Sequence, residues 1–228
     1  MLKVDFHTHT AEDHRDFITY SARELIDRAA EKGYDALAIT CHDALLRRPS
    51  LDRYAEERGI LLLPGVEITL GGGHVVVINP RFSPRPKGYG LADIRSLRSE
   101  DGLFIAAHPY FPFFPSLQRK LVPLLPWIDA VEVTSYHNAL IDFNRKAIRM
   151  AHLHGKPLVG DSDCHNLLQF GKTFTLVDAE KSLESIVRAV RAGRCEVRTE
   201  PIALGAMALL FAHSLTVEKA RRIIENRW

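Results

Sequence analysis

Two histidines, His7 and His9, open the case for chemistry. They close a short apolar run, Leu2 to Phe6, that reads as a strand. Alternate residues of a strand point to one side, so both imidazoles can face the same ion. A His-x-His pair alone is weak, because chance produces many. Here it has company. His42 follows the apolar run Asp35 to Thr40, and Glu67 follows Ile60 to Pro64. His108 follows Leu103 to Ala107, and His137 follows Val131 to Thr134. Asp163 and His165 follow Pro157 to Gly160 and repeat the i, i+2 spacing. Any one of these would pass as a solvated loop residue. Metal-competent side chains at one strand end after another would not, because such ends converge on one mouth in parallel α/β folds. Imidazole with carboxylate suits zinc, manganese or iron. The donors exceed the three that one catalytic zinc ordinarily takes from protein, so two or three divalent ions are expected. Such a cluster generates hydroxide from water at neutral pH and stabilises attacking and leaving oxygens, which favours phosphoester hydrolysis.

The elements that must position these residues alternate regularly. Helical periodicity covers Ala22 to Lys32, with Ser21 as N-cap and Gly33 as stop. Further helices are expected over Leu51 to Arg58, Leu91 to Ser99, Leu117 to Leu125, Ala139 to His154 and Leu183 to Ala192. Glu67 to Leu70 and His74 to Asn79 flank three glycines and read as a hairpin. Thr173 to Val177 is another strand, and Val197 begins a last extended piece. Strands near positions 4, 37, 62, 105, 132, 158 and 175 give about seven units. The pattern fits a (β/α) barrel, with an open doubly wound sheet as the competitor.

The 228 residues are expected to form one domain, residues 1–228. The segment from about 202 to 228 is expected to be helical, packing on the barrel or forming an interface. Its apolar stretch, Ile202 to His213, is too short to span a bilayer. Thirty basic and 28 acidic side chains give a net charge of +2, so nothing global pulls the chain toward nucleic acid. Three cysteines, Cys41, Cys164 and Cys195, make no disulfide framework. A cytoplasmic, reducing setting without a membrane partner is expected.

The motifs resemble those of the polymerase and histidinol phosphatase (PHP) family. The matching stretches are Asp5 to Thr10, Ala36 to Asp43, Pro64 to Glu67, His108-Pro109, Val131 to Val133 and Gly160 to His165. The resemblance implies a distorted (β/α)7 barrel with up to three metal ions at its mouth. It assigns His7, His9, Glu67 and Asp163 to one ion, Glu67, His108 and His137 to a second, and His14, His42 and His165 to a third. His14 is preferred over Asp13 on spacing. Glu67, Asp163 and His165 carry the catalytic expectation. Cys41 stands where the family commonly has Asp, and Cys164 where a small residue is usual; each is expected to pack rather than ligate.

His152, His154 and His213 are expected on helices away from the site, and His74 is read as a plain hairpin residue. Cations that could meet a phosphate are Arg15, Arg47, Arg48, Arg81 and Lys172, each ranked below a plain surface role. The loop Tyr110 to Pro115 either walls the pocket and stacks on an aromatic or base moiety, or packs on a neighbouring helix. The favoured activity is hydrolysis of a small phosphorylated substrate, a monoester or a diester. A family nuclease acting on nucleic-acid ends and a non-catalytic metal-stabilised module are the alternatives. An amidohydrolase, which often uses a Lys ligand where this chain has Glu67, is more distant.

Overall fold

The computed structural model describes residues 1–112, 114–138, 140–202 and Gly205. Most of the expected 202–228 segment therefore lies outside the described residues. The elements run β1 (Leu2–Thr8), α1 (Ala22–Glu31), β2 (Ala36–Ile39), α2 (Pro49–Glu56), β3 (Leu61–Leu70) and β4 (Gly73–Ile78). There follow α3 (Ile94–Leu97), β5 (Leu103–Ala106), α4 (Leu121–Leu124), β6 (Ala130–Thr134), α5 (Arg145–Leu153) and β7 (Leu158–Asp161). The described chain ends with β8 (Thr173–Val177), α6 (Leu183–Arg191) and β9 (Cys195–Thr199). Short 3-10 turns flank α3 and α4. Ser21 caps α1 as expected, in a reciprocal capping box with Glu24. Among the described residues no helix is long and apolar enough to cross a membrane.

The strands form one nine-stranded sheet in the order β7-β6-β5-β4-β3-β2-β1-β8-β9. It curls into a nearly closed barrel of the PHP type. β1, β2 and β3 are parallel, and so are β5, β6 and β7. β4 runs against both β3 and β5, which joins the two parallel groups in one common direction. β8, expected as a seventh unit of the same kind, is instead antiparallel to β1.

β1 and β7 meet at the seam, and side chains bridge the gap. Asp5 Oδ1 accepts from the Ser162 backbone N–H of the neighbouring strand end at 3.1 Å. Asp161 Oδ1 accepts from the Phe6 N–H at 2.7 Å. Thr175 Oγ1 accepts from Gly160 N–H and donates to Gly160 C=O, each at 2.9 Å. Gly160 is required there, because a Cβ would come within 2.8 Å of the Phe174 carbonyl oxygen. These bonds satisfy backbone groups that a ladder would otherwise have to pair.

Apolar residues divide into an inner and two outer clusters. The inner one includes Val4, Phe6, Ala36, Ala38, Leu63, Val76, Ile78 and Ile105. Outer clusters pack α1 and α2 on one side and α3 to α5 on the other. β1 crosses between these environments through an irregularity between Asp5 and Thr8. Val4 pairs with inner Ala36, and Asp5 with Leu37 of an outer cluster. Thr8 pairs with Ile39, again of that outer cluster. The extra residue resets the alternation, so His7 and His9 face the interior with Val4.

Candidate metal centre

The mouth of the barrel holds a knot of buried imidazoles and carboxylates. His7, His9, His42, Glu67, His74, His108, Asp13 and Asp163 are all buried. His7 and His9 leave β1, and Glu67 lies within β3 where that strand outruns its barrel neighbours. His108 and Asp163 sit just past β5 and β7 with φ of 27° and 44°. Left-handed backbone at a residue with a side chain costs on the order of 1 kcal/mol or more, and such residues gather at functional sites. Here it ends the strands abruptly, beside the site these side chains enter.

Four ligand atoms converge at the centre. His7 Nε2 and His9 Nε2 are 3.0 Å apart. Glu67 Oε2 lies 3.3 Å from each. Asp163 Oδ1 lies 3.6 Å from the first and 3.5 Å from the second. A tetrahedral ion with bonds of about 2.1 Å separates its ligand atoms by about 3.4 Å. The tautomers point the same way. His7 Nδ1 is 2.7 Å from Glu132 Oε1, and His9 Nδ1 is 2.9 Å from Asp13 Oδ2. A proton on each Nδ1 satisfies those carboxylates and leaves both Nε2 atoms as bare acceptors facing one another. Such an arrangement calls for a cation between them, so the donors present fit a divalent metal.

Glu67 reaches outward from this group with both oxygens. Oε2 also lies 2.9 Å from His42 Nε2. Oε1 lies 2.7 Å from His74 Nδ1 and 3.2 Å from His108 Nε2. A third group forms around Asp16, whose Oδ2 is 3.1 Å from both His42 Nδ1 and His165 Nε2. Asp13 Oδ2 is also 2.9 Å from His42 Nδ1. Compatible donor groups among the described residues are therefore His7-His9-Glu67, His7-His108-Glu132, His9-Asp163-His165, His42-Glu67-His74 and His9-Asp13-Asp16-His42.

The imidazoles and carboxylates shift one another's titration. Burial opposes charge on His7, yet Glu132, Glu67 and Asp163 hold its imidazole well above the usual histidine range. His9, His42 and His108 are raised for the same reason, burial being overcome by carboxylates. Burial works against ionised Glu67 and Asp163, but the imidazoles around them push both carboxyls down. His74 goes the other way and is lowered by burial. Beneath the site, burial drives the Asp5 carboxyl up to about 7, against hydrogen bonds from Ser162 and His7.

The expected ligands His7, His9, His42, Glu67, His108, Asp163 and His165 come together here. Two do not. His14 is exposed, while its neighbour Asp13 turns inward to His9 and His42. The preference for His14 over Asp13 is corrected on that geometry. His137 lies in a bend after β6, and its Nε2 is 2.7 Å from Thr199 Oγ1 on β9. It joins no donor group among the described residues, and His74 stands beside Glu67 and His108 instead.

His74 opens β4. Because β4 is antiparallel, its N-terminal end is the one at the mouth, so a search of strand C-termini passes over it. Its pairing opposite Thr69, two residues from Glu67, puts it on the Glu67 face, which was readable once the hairpin was drawn. Glu132 was visible only as part of a matching motif, and no signal in the sequence marked Asp16. Glu132 carries a clear expectation. It accepts from His7 Nδ1 and, through its other oxygen, from the His108 backbone N–H. Glu132→Gln should weaken metal binding about 10- to 100-fold, read by competition with a chromogenic chelator. Unchanged affinity would exclude an orienting role.

The cations are scattered. Arg15 donates to Thr69 and Pro86 and pairs with Asp43 at 2.6 Å. Arg81 follows β4, whose C-terminal end is at the floor of the barrel, and it pairs with Asp101 there. Arg81 thus lies at the far end of the barrel from the donors and does not meet a phosphate bound there. Lys172 pairs with Glu200, and Arg47 and Arg48 are exposed after β2. Cys41 and Cys164 are buried against the α1 and α2 layer, with burial pushing their thiols up to about 12 and about 11. Both suit packing rather than ligation at neutral pH.

A PHP-associated family profile matches residues 142–195. The matched segment and the fold are thus both similar to those of PHP-domain proteins. The chain is 29% identical over 119 residues to an uncharacterized protein of Methanocaldococcus jannaschii, covering 50% of this chain and 67% of that one. Its fold matches a two-domain Bacteroides vulgatus protein containing a predicted PHP-like metal-dependent phosphoesterase, with a TM-score of 0.70 and 24% identity. That match covers 87% of this chain and 65% of the other. A lesion-specific endonuclease from Pyrococcus furiosus matches with a TM-score of 0.55 at 17% identity, over 86% of this chain and 57% of its own.

Proposed function

We propose that this chain is a metal-dependent phosphoesterase acting on a small phosphorylated substrate. One observation carries the reading: His7 Nε2, His9 Nε2, Glu67 Oε2 and Asp163 Oδ1 converge at ligand spacing, with both Nδ1 atoms at hydrogen-bond distance from carboxylates. His7, His9, Glu67 and Asp163 would hold a first divalent ion. Glu67 would share a second with His74 and His108, and His42, Asp13 or Asp16, and His165 would hold a third. Bound there, zinc, manganese or iron supplies Lewis acidity and a nucleophile at neutral pH. The chain's own work is positional. Asp13 and Glu132 fix ring orientation, Glu67 spans the donor groups, and the buried walls lower the dielectric around them. Phosphoester chemistry is favoured over other hydrolyses because several ions can neutralise its spread of oxygen charge. The similar fold of a protein containing a predicted phosphoesterase is consistent with the same class.

Purified protein reconstituted with Mn²⁺ or Zn²⁺ should hydrolyse members of a panel of aryl monoesters, aryl diesters, sugar phosphates and nucleotides. His9→Ala and Asp163→Ala variants that keep the wild-type circular dichroism spectrum should be inactive. Turnover of single-stranded oligonucleotides in preference to every small ester would move the reading to a nuclease. Bound metal without hydrolysis of any ester would leave a metal-stabilised binding module.

A further inference from the structure

One side of the mouth is aromatic, and nothing in the metal chemistry requires that. Phe111 is buried and stacks face to face on Phe114, with centroids 4.8 Å apart and planes at 9°. Tyr136 and Phe143 pack against Phe111 at 5.0 and 4.7 Å. Tyr136 is pinned from the far side, its hydroxyl accepting from Gln169 Nε2 at 2.7 Å. Phe114, like Phe143, differs from the buried Phe111 and Tyr136. It is only half-buried, although one face lies on Phe111, and its centroid is 6.4 Å from the ring of His108. His108 in turn touches Glu67. Phe114 is therefore a partly exposed ring of the cluster that also approaches the donor group, through His108. Leu140 and Leu168, on the loops after β6 and β7, are 80% and 72% exposed. Exposed apolar surface at the barrel end that carries a polar donor cluster is a mark of ligand contact.

Resting on the phosphoesterase reading, we propose that Phe114 is the specificity-determining residue of the site. It stacks the flat ring of a mononucleotide whose phosphate lies at the His7-His9-Glu67-Asp163 group. The ring selects a face rather than a hydrogen-bond pattern, because Phe114 offers π surface and no polar atom. Preference for a base is therefore expected to be broad. The backing by Phe111 and Tyr136 keeps the ring in place before substrate arrives, which limits the ordering cost of binding.

The test uses the metal-loaded full chain and four probes: adenosine 5′-monophosphate, ribose 5-phosphate, phenyl phosphate and a short oligodeoxynucleotide. Binding is measured by calorimetry and turnover by phosphate release. Adenosine monophosphate should bind at least about tenfold more tightly than ribose 5-phosphate. Phe114→Ala should remove that difference by raising KM for the nucleotide while kcat and the ribose 5-phosphate KM stay level. Phe114→Trp should restore it. A similar preference for phenyl phosphate would place the ring directly on the ester rather than one sugar away, and would overturn the nucleotide assignment. Tighter binding of the oligonucleotide would overturn the mononucleotide one. Equal binding of the nucleotide and the sugar phosphate, or an equal loss of both in Phe114→Ala, would overturn the proposal outright. Ring-dependent binding without hydrolysis of any probe would sustain the stacking role and sink the phosphoesterase reading instead.

Discussion

Replacing Glu67 with alanine is expected to disable the whole centre rather than one part of it. Its two oxygens lie within 3.3 Å of imidazole nitrogens of His7, His9, His42, His74 and His108. Without it, those rings face one another without their central anion, and the shared ligand of two donor groups is gone. Metal content measured by mass spectrometry should fall at more than one site. Hydrolysis should fall by at least about 1,000-fold, roughly 4 kcal/mol of transition-state stabilisation. Glu67→Gln keeps the shape and removes the charge, so it should lose metal nearly as well. His74→Ala, in contrast, should leave the His7-His9-Asp163 group able to bind. Full metal content in Glu67→Ala, or activity within tenfold of wild type, would show that the carboxylate does not bridge.

The second large effect concerns metal removal and its pH dependence. His7, His9, His42 and His108 have raised folded-state pKa values in the metal-free protein. Their contribution to stability is fully present below the unfolded histidine value of about 6.5 and is lost as pH rises through the folded values. Glu67, Asp13, Asp16 and Asp163 have lowered values. Their contribution is present above about 4 and is lost as pH falls through the folded values. The metal-free chain should therefore be most stable near pH 5 to 6.5, roughly. His74, lowered by burial, opposes this trend only in part.

Metal needs deprotonated imidazoles, so its affinity should rise with pH and its binding should release protons. The stabilisation by metal should accordingly widen from pH 5.5 to pH 8. Zinc at a thousandfold its dissociation constant adds about 4 kcal/mol, about 10 °C in Tm for a domain of this size. Thermal melts with and without a chelator, at several pH values, measure it directly. A metal-dependent shift that stays constant or shrinks with rising pH would contradict the assignment of these histidines as ligands. Calorimetry in buffers of different ionisation enthalpy counts the protons independently.

The sites that resisted reading from sequence share a cause. Strand ends were legible because apolar runs stop abruptly at His42, His108 and Asp163. A loop residue carries no such phase. Asp13, His14 and Asp16 lie in one loop between β1 and α1, and spacing alone cannot say which turns inward. Tertiary contact decides it: Asp13 meets the His42 backbone N–H at 2.8 Å as well as the two rings. His137 failed for the same reason, since the bend after β6 aims it at Thr199 on β9, a contact between residues far apart in the chain. β8 could be recognised as a strand but not oriented, because its composition does not encode direction.

By itself, then, the sequence determined that His7 and His9 sit at a strand end with Glu67, His108 and Asp163 at equivalent points, and that strands and helices alternate around them, a pattern a barrel shares with an open sheet. Short-range forces suffice for that: apolar periodicity, capping at Ser21 and glycine stops are local. Only the tertiary structure decided which way the side chains face and who joins them. The irregularity between Asp5 and Thr8 turns His7 inward, and the Asp5 and Asp161 bonds draw β1 to β7. Each depends on strand pairing between distant segments, where a shift of one residue exchanges the two faces of a strand.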